Sequence, residues 1–266
     1  MATRSTASKS KVKYVEEYRP IKTILVSQPK PERSPYYDIE KKYNLTIDWR
    51  SFIHVEGVSE KEFRKNRVKL DEYTSIIFCS KNAIENFFKI CEEMRVKMPS
   101  ETKYFCISEA IANYLQKFIV YRKRKVFAGT KKIEDLHPYF TKFKANEKFL
   151  LPNSNLGNKD VVAYLDKNKI AFTDVLMYKT LSSDLSDLEN VFYDVLIFFS
   201  PQGIESLYEN FPDFKQNNTR IAVFGQSTLQ AVLDKGLYAN IVAPTPDAPS
   251  MSMALELYLH KSNPNK

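Results

Sequence analysis

The chain has 266 residues, 43% of them hydrophobic and 27% charged, with a net charge of +8. That is room for two domains of ordinary size, with the composition of a globular protein. No run approaches the roughly 18 apolar residues of a membrane helix, and the start MATRSTASKSKVK lacks the apolar stretch of a secretory signal and reads as a loose cytoplasmic tail.

Taken in order, short apolar runs alternate with amphipathic stretches. Strands are expected near 22–27, 50–55, 75–79, 103–107 and 125–128. Helices are expected near 35–43, 81–93, 108–118 and 131–141. The pattern then starts again. Strands fall near 148–152, 174–179, 194–199, 220–224 and 240–243, with helices near 157–167, 202–210, 226–235 and 250–260. Buried runs of four to six residues between amphipathic helices point to parallel sheets covered on both faces. The expected fold class is α/β, with a five-stranded flavodoxin-like layout in each half.

The second half repeats the first. YTSIIFCSKNA (73–83) matches YDVLIFFSPQG (193–203), and KYFCISEAIANYLQ (103–116) matches RIAVFGQSTLQAVL (220–233). KTILVSQP (22–29) resembles KFLLPNSN (148–155), and NLTIDWRSFIHV (44–55) lines up with KIAFTDVLMYKT (169–180). The pairs keep their order at offsets of 117 to 126 positions. Two copies of one α/β unit are expected, with the working site in the cleft between them.

Ligands of such sheets bind beyond the carboxyl ends of the strands. Ser80, Ser108, Ser154, Ser200 and Gln226 follow expected strands there. The helix N-termini that come next favour anionic groups. Several such sites together suit a ligand with many carboxylates. With only six glycines, the chain has neither GxGxxG nor GxxxxGK[ST], which argues against a dinucleotide or a nucleoside triphosphate.

Cys79, Cys91 and Cys106 show no CxxC spacing and read as inert thiols of a reducing compartment. His54, His137 and His260 are scattered and form no metal motif. Basic runs occur at KSKVK (9–13), YRKRK (121–125) and TKK (130–132). They admit a nucleic-acid or an acidic small-molecule partner, or simply a solvated surface. No zinc-finger, RNP1-like or helix-turn-helix signature supports nucleic acid.

At SPQG (200–203), VFGQSTLQAVLDKG (223–236) and VAPTPDAPSMSMALE (242–256), the chain resembles the uroporphyrinogen-III synthase family. VLMYKT (175–180) resembles that family's V-Y-x-T segment, and FCSKNAIENF its T-S-P-x-A-V segment. The likeness runs over about residues 20–260. It implies two flavodoxin-like domains interleaved in sequence and joined by a two-strand ladder. Domain one would hold 1–54 and 181–266, with 1–20 a flexible tail, and domain two 55–180. The crossing segments would be SFIHV (51–55) and MYKTL (177–181).

The resemblance also implies a reaction, closure of the linear tetrapyrrole hydroxymethylbilane to uroporphyrinogen III with loss of water and inversion of ring D. It requires no cofactor, and nothing in it demands more than a monomer. Tyr178 matches the family tyrosine and is the expected proton donor to the leaving hydroxyl. The substrate contacts would come from Ser27, Ser80, Asn82, Ser200, Gln202, Gly203, Gln226, Ser227 and Thr228. By geometry alone, Ser227 and Thr228 could equally be caps of the helix they precede. The family's arginine at the end of strand one is replaced by Ser27 and Gln28, and its G-P-T-T turn reads GQST. Lys81 or Lys179 would then supply the missing positive charge. Two other readings share the pattern: a non-catalytic two-lobed binder of an acidic small molecule, and a nucleic-acid-associated protein.

Overall fold

A computed structural model describes residues 17–264; the basic run at 9–13 and most of the expected tail lie outside them. The chain forms two compact units, 1–53 with 182–266 and 54–181.

Unit one begins with β1 (Thr23–Val26), α1 (Tyr36–Tyr43) and β2 (Thr46–Trp49). The chain then enters unit two, which contains β3 (Ile53–Gly57), α2 (Glu60–Phe63), β4 (Ser75–Phe78), α3 (Lys81–Glu93), β5 (Lys103–Cys106) and α4 (Glu109–Leu115). It continues with β6 (Val126–Ala128), α5 (His137–Phe143), β7 (Phe149–Ser154), α6 (Lys159–Lys167) and β8 (Phe172–Ser182). Back in unit one follow β9 (Val195–Phe198), α7 (Pro201–Asn210), β10 (Arg220–Phe224), α8 (Gln226–Asp234), β11 (Ala239–Ala243) and α9 (Met251–Ser262).

The sheet of unit one runs β2-β1-β9-β10-β11, with every pair parallel. Within the unit this is the doubly wound order 2-1-3-4-5. The sheet of unit two runs β3-β8-β7-β4-β5-β6. Apart from the edge strand β3, it has the same order with the chain permuted: β7 takes the place of β1, and β4 that of β9. Its other four pairs are parallel.

Alternate strand residues go to opposite faces, as the pleat requires. In unit one Ile24, Val26, Ile197 and Ala222 pack under α1 and α9. Leu25, Leu196, Phe198 and Val223 pack under α7 and α8. In unit two Ile76, Phe78, Tyr104 and Leu150 pack with α3 and α4. Ile77, Phe105, Phe149 and Leu151 pack with α5 and α6. Each side chain so buried contributes about 1.5–3 kcal/mol, which is why these strands carry apolar residues in both phases.

Two expected elements differ. The strand expected near 50–55 starts later, as β3 (Ile53–Gly57), and a separate strand, β2, ends before it at Trp49. Arg50 N–H still makes the next rung of the β1–β2 ladder, to the Val26 carbonyl (3.0 Å), and the chain leaves the sheet only where Phe52 drops into the core, 1% exposed. The Phe52 carbonyl then accepts from Ser183 N–H and from the buried Ser206 hydroxyl. The helix expected at 131–141 starts late, as a 3-10 turn at Ile133–Leu136 before α5. Asp135 causes the delay. Its carboxylate accepts from the Thr130 hydroxyl and from the N–H groups of Lys131, Lys132 and Thr130, which hold it far below its usual pKa.

Candidate functional site

In a 2-1-3-4-5 sheet the chain winds in opposite directions from strands 1 and 3, and a crevice opens at their carboxyl ends. In unit one these strands are β1 and β9. Ser27 follows β1 and donates its backbone N–H to the Ile197 carbonyl (3.0 Å). Ser200 follows β9 and is the N-cap of α7, with Pro201 in the first turn. Its hydroxyl makes no capping bond, so it stays available. Ser27, Ser200 and Gly203 line one pocket of about 450 Å³ with Gln28, Pro29, Pro31, Ile53 and Phe199. At Gly203 a Cβ would stand 3.1 Å from the Phe198 ring, so glycine lets α7 lie close on β9. Gln202 is half-buried in the first turn of the same helix.

Gln226, Ser227 and Thr228 lie after the neighbouring strand β10 and are not among that pocket's lining residues. None of them caps α8. Gly225 is its N-cap, with no side-chain bond, so the first-turn N–H groups remain open to an anion. Gln226 and Ser227 are exposed. Thr228 is 1% exposed, and its hydroxyl has no partner. Gly225 sits at φ 89, ψ 151, a region that is nearly glycine-only. Gly225→Ala is therefore expected to cost about 1–3 kcal/mol and to displace the start of α8. Urea unfolding checks this, and an unchanged midpoint would contradict it.

In unit two the equivalent strands are β7 and β4. Ser80 follows β4 and caps α3 by accepting from Ala83 N–H (3.0 Å). The same hydroxyl lies 2.9 Å from the Tyr178 hydroxyl. Tyr178 is on β8, opposite Ser154 of β7, and is 7% exposed. Strands are spaced about 4.8 Å apart, so its ring crosses the end of β7 to reach the end of β4. Only a long side chain with a terminal hydroxyl makes that bridge. Asn82 is half-buried in the first turn of α3, where its carbonyl accepts from Asn86 (2.8 Å).

Asn155 was not singled out by its sequence pattern. Its side chain accepts from Thr180 N–H (2.8 Å) and donates to the Thr180 carbonyl (3.2 Å), while its N–H reaches the Tyr178 carbonyl (3.3 Å). A side chain thus continues the ladder beyond β7 and fixes the backbone from Tyr178 to Thr180. A lone Asn after a strand carries no signal of that kind.

Of the two suggested lysines, Lys179 is committed to an ion pair, while Lys81 makes none among the described residues. Lys179 is 2.8 Å from Glu62, whose hydrogen bond holds the ammonium above its usual pKa. Lys81 lies over the Tyr114 ring at 5.3 Å. All three cysteines are free thiols, and burial pushes each up to about 12.

Fold and site together define a two-unit, flavodoxin-like α/β protein with hydroxyl-lined helix N-termini at both switch points. The family model described as Uroporphyrinogen-III synthase HemD matches residues 47–252. The chain belongs to the uroporphyrinogen-III synthase family. It is 21% identical over 248 residues to the uroporphyrinogen-III synthase of Chlorobaculum parvum, covering 88% of this chain and 98% of that one. To the Saccharomyces cerevisiae uroporphyrinogen-III synthase it is 32% identical over 75 residues, 27% of each chain. The uroporphyrinogen-III synthetase of Helicobacter pylori shares the fold, with a TM-score of 0.58 at 17% identity over 90% of this chain and 99% of that one. So does a mutant uroporphyrinogen III synthase from Thermus thermophilus, with a TM-score of 0.58 at 13% identity and the same coverage. Among the described residues, no helix is long and apolar enough to cross a membrane.

Proposed function

We propose that this chain cyclises hydroxymethylbilane to uroporphyrinogen III, with loss of water and inversion of ring D. Family membership supports this reading over a non-catalytic binder. The observation that carries it to residues is the Tyr178 hydroxyl, held 2.9 Å from Ser80 Oγ at the carboxyl edge of unit two.

In the proposed reaction the pyrrole nitrogen pushes its lone pair toward the terminal hydroxymethyl carbon, and the C–O bond breaks. Tyr178 gives a proton to the departing hydroxyl, which leaves as water, and an electron-poor azafulvene remains. The substituted carbon of ring D attacks it and becomes a spiro centre. The bond from that carbon to its original bridging methylene then breaks, and the released methylene is captured by the free α-carbon of ring D, so the ring closes inverted. The phenol regains its proton as the macrocycle becomes aromatic in each pyrrole again. The substrate supplies most of the reactivity, and the protein acts chiefly by orienting it.

Substrate carboxylates would meet hydroxyls and open helix N–H groups. Ser27, Ser200, Gln202 and Gly203 serve at the first switch point, with Gln226, Ser227 and Thr228 at the start of α8. Ser80 and Asn82 serve at the start of α3. We place the enzyme in the cytoplasm as a monomer; its three free thiols suit a reducing compartment.

The test is an isomer assay. Purified protein is given fresh hydroxymethylbilane, and the products are oxidised and separated. Predominantly type III porphyrin is expected. Type I alone, from protein shown to be folded, would end this proposal.

A further inference from the structure

We propose that unit two carries a second binding site, for a monoanion with an apolar body such as a medium-chain carboxylate, at the amino ends of β5 and β6. This is the opposite sheet edge from Ser80 and Tyr178. A pocket of about 440 Å³ opens there, a size typical of small-ligand sites.

Its walls are apolar. Phe88, Val96, Met98 and Phe118 contribute to them, and Val120 stands at the lining 83% exposed. An apolar ligand chain lying along these walls would cover it. The pocket also holds a hydroxyl without a partner. Thr102 is 2% exposed, lines the pocket, and has no hydrogen bond to its side-chain oxygen. Native interiors rarely leave such a group unpaired. Two residues on, Tyr104 lines the same pocket on the same strand phase. A ligand oxygen entering here would accept from these hydroxyls.

The charge at the lining selects the sign. The basic run at 121–125 is not one solvated surface. Lys125 turns inward, donating to the Ser100 carbonyl and pairing with Glu101 at 2.7 Å, so its charge is already matched. Arg122 and Lys97 line the pocket and make no ion pair among the described residues. Glu92 is the one carboxylate on the lining. Two unmatched cations against one carboxylate leave a single positive charge, which fits one negative charge on the ligand.

Decanoate and decanol, titrated below their aggregation limits into the full chain by calorimetry, separate the parts of this proposal. Decanoate is expected to bind at one saturable site about tenfold tighter than decanol. Arg122→Ala should erase that preference by weakening decanoate about tenfold while leaving decanol and the melting midpoint unchanged. Val120→Asp should weaken both ligands. Equal affinity for decanoate and decanol, no effect of Arg122→Ala, or binding only to anionic phospholipid vesicles and not to monomeric decanoate would each overturn the proposal. The last result would make this face a membrane-docking surface instead.

Discussion

Replacing Tyr178 with Phe is expected to lower the rate of type III product formation about 10²-fold, the usual reach of a positioned proton donor. The effect should fall on kcat, because the hydroxyl is proposed to act on a bond that breaks in the transition state. Stability should change little. The ring stays within the core cluster that also holds Val175 and Met177. Its lost partner, Ser80 Oγ, keeps the Ala83 N–H bond (3.0 Å), so no buried group is orphaned. The net loss of one such bond is about 1 kcal/mol. Ser80→Ala is the informative companion. It removes both the Tyr178 contact and the cap of α3, so it should cost about 1 kcal/mol in stability through the cap. If Ser80 works by aligning the phenol, the rate loss in the double variant should be smaller than the product of the two single losses. A Tyr178→Phe enzyme that forms type III product at the parental rate would remove Tyr178 as the donor without touching the family assignment.

The sequence made the sheet order legible through the repeat. Each matched pair of segments occupies the same rank in its sheet: β1 with β7, β9 with β4, and β10 with β5. This works because a strand buried on both faces must be apolar in both phases, whichever copy it belongs to. The pair 44–55 and 169–180 also agrees in rank, β2 with β8, but not in continuity. The alignment could not see that one copy is a continuous 11-residue strand and the other is broken between Trp49 and Ile53. That break is set where Phe52 enters the core and its carbonyl is taken by Ser183 and Ser206. The positions of the hydroxyls at strand ends were legible too, since a Ser between an apolar run and an amphipathic run has few other places to go. Their partnerships were not. Ser80 is shared between a helix cap and Tyr178, which comes from a strand 98 residues away. Thr228 reads as a cap beside a turn, yet it faces inward because Gly225 takes the capping position. Lys179 reads as a free cation until Glu62, far off in sequence, neutralises it.

The largest stability effect is expected from Phe105→Ala, at about 3–5 kcal/mol. Phe105 is fully buried on β5, between β4 and β6, on the face covered by α5 and α6. Its ring stacks on Phe140 (centroids 5.1 Å, 8°) and meets Phe149 nearly edge-on (5.3 Å, 68°). Phe127 and Phe143 close the cluster at 5.1 and 6.2 Å. Such aromatic pairs add about 0.5–1.5 kcal/mol beyond the area they bury. The neighbours come from two strands and a helix, so they cannot all move in to fill the space that alanine would leave. Strand pairing holds β6 at Phe105↔Phe127 and sets β7 against β4 at Ser75↔Phe149. The cost should therefore lie near the cavity limit, a large share of the 5–15 kcal/mol by which a typical domain is stable. Urea unfolding followed by far-ultraviolet circular dichroism measures it. Phe105→Leu should cost clearly less, since most of the volume is kept. A loss below about 1 kcal/mol for Phe105→Ala would mean that the aromatic cluster collapses onto the gap, and that the packing of this face is set by the helices and not by the central strand.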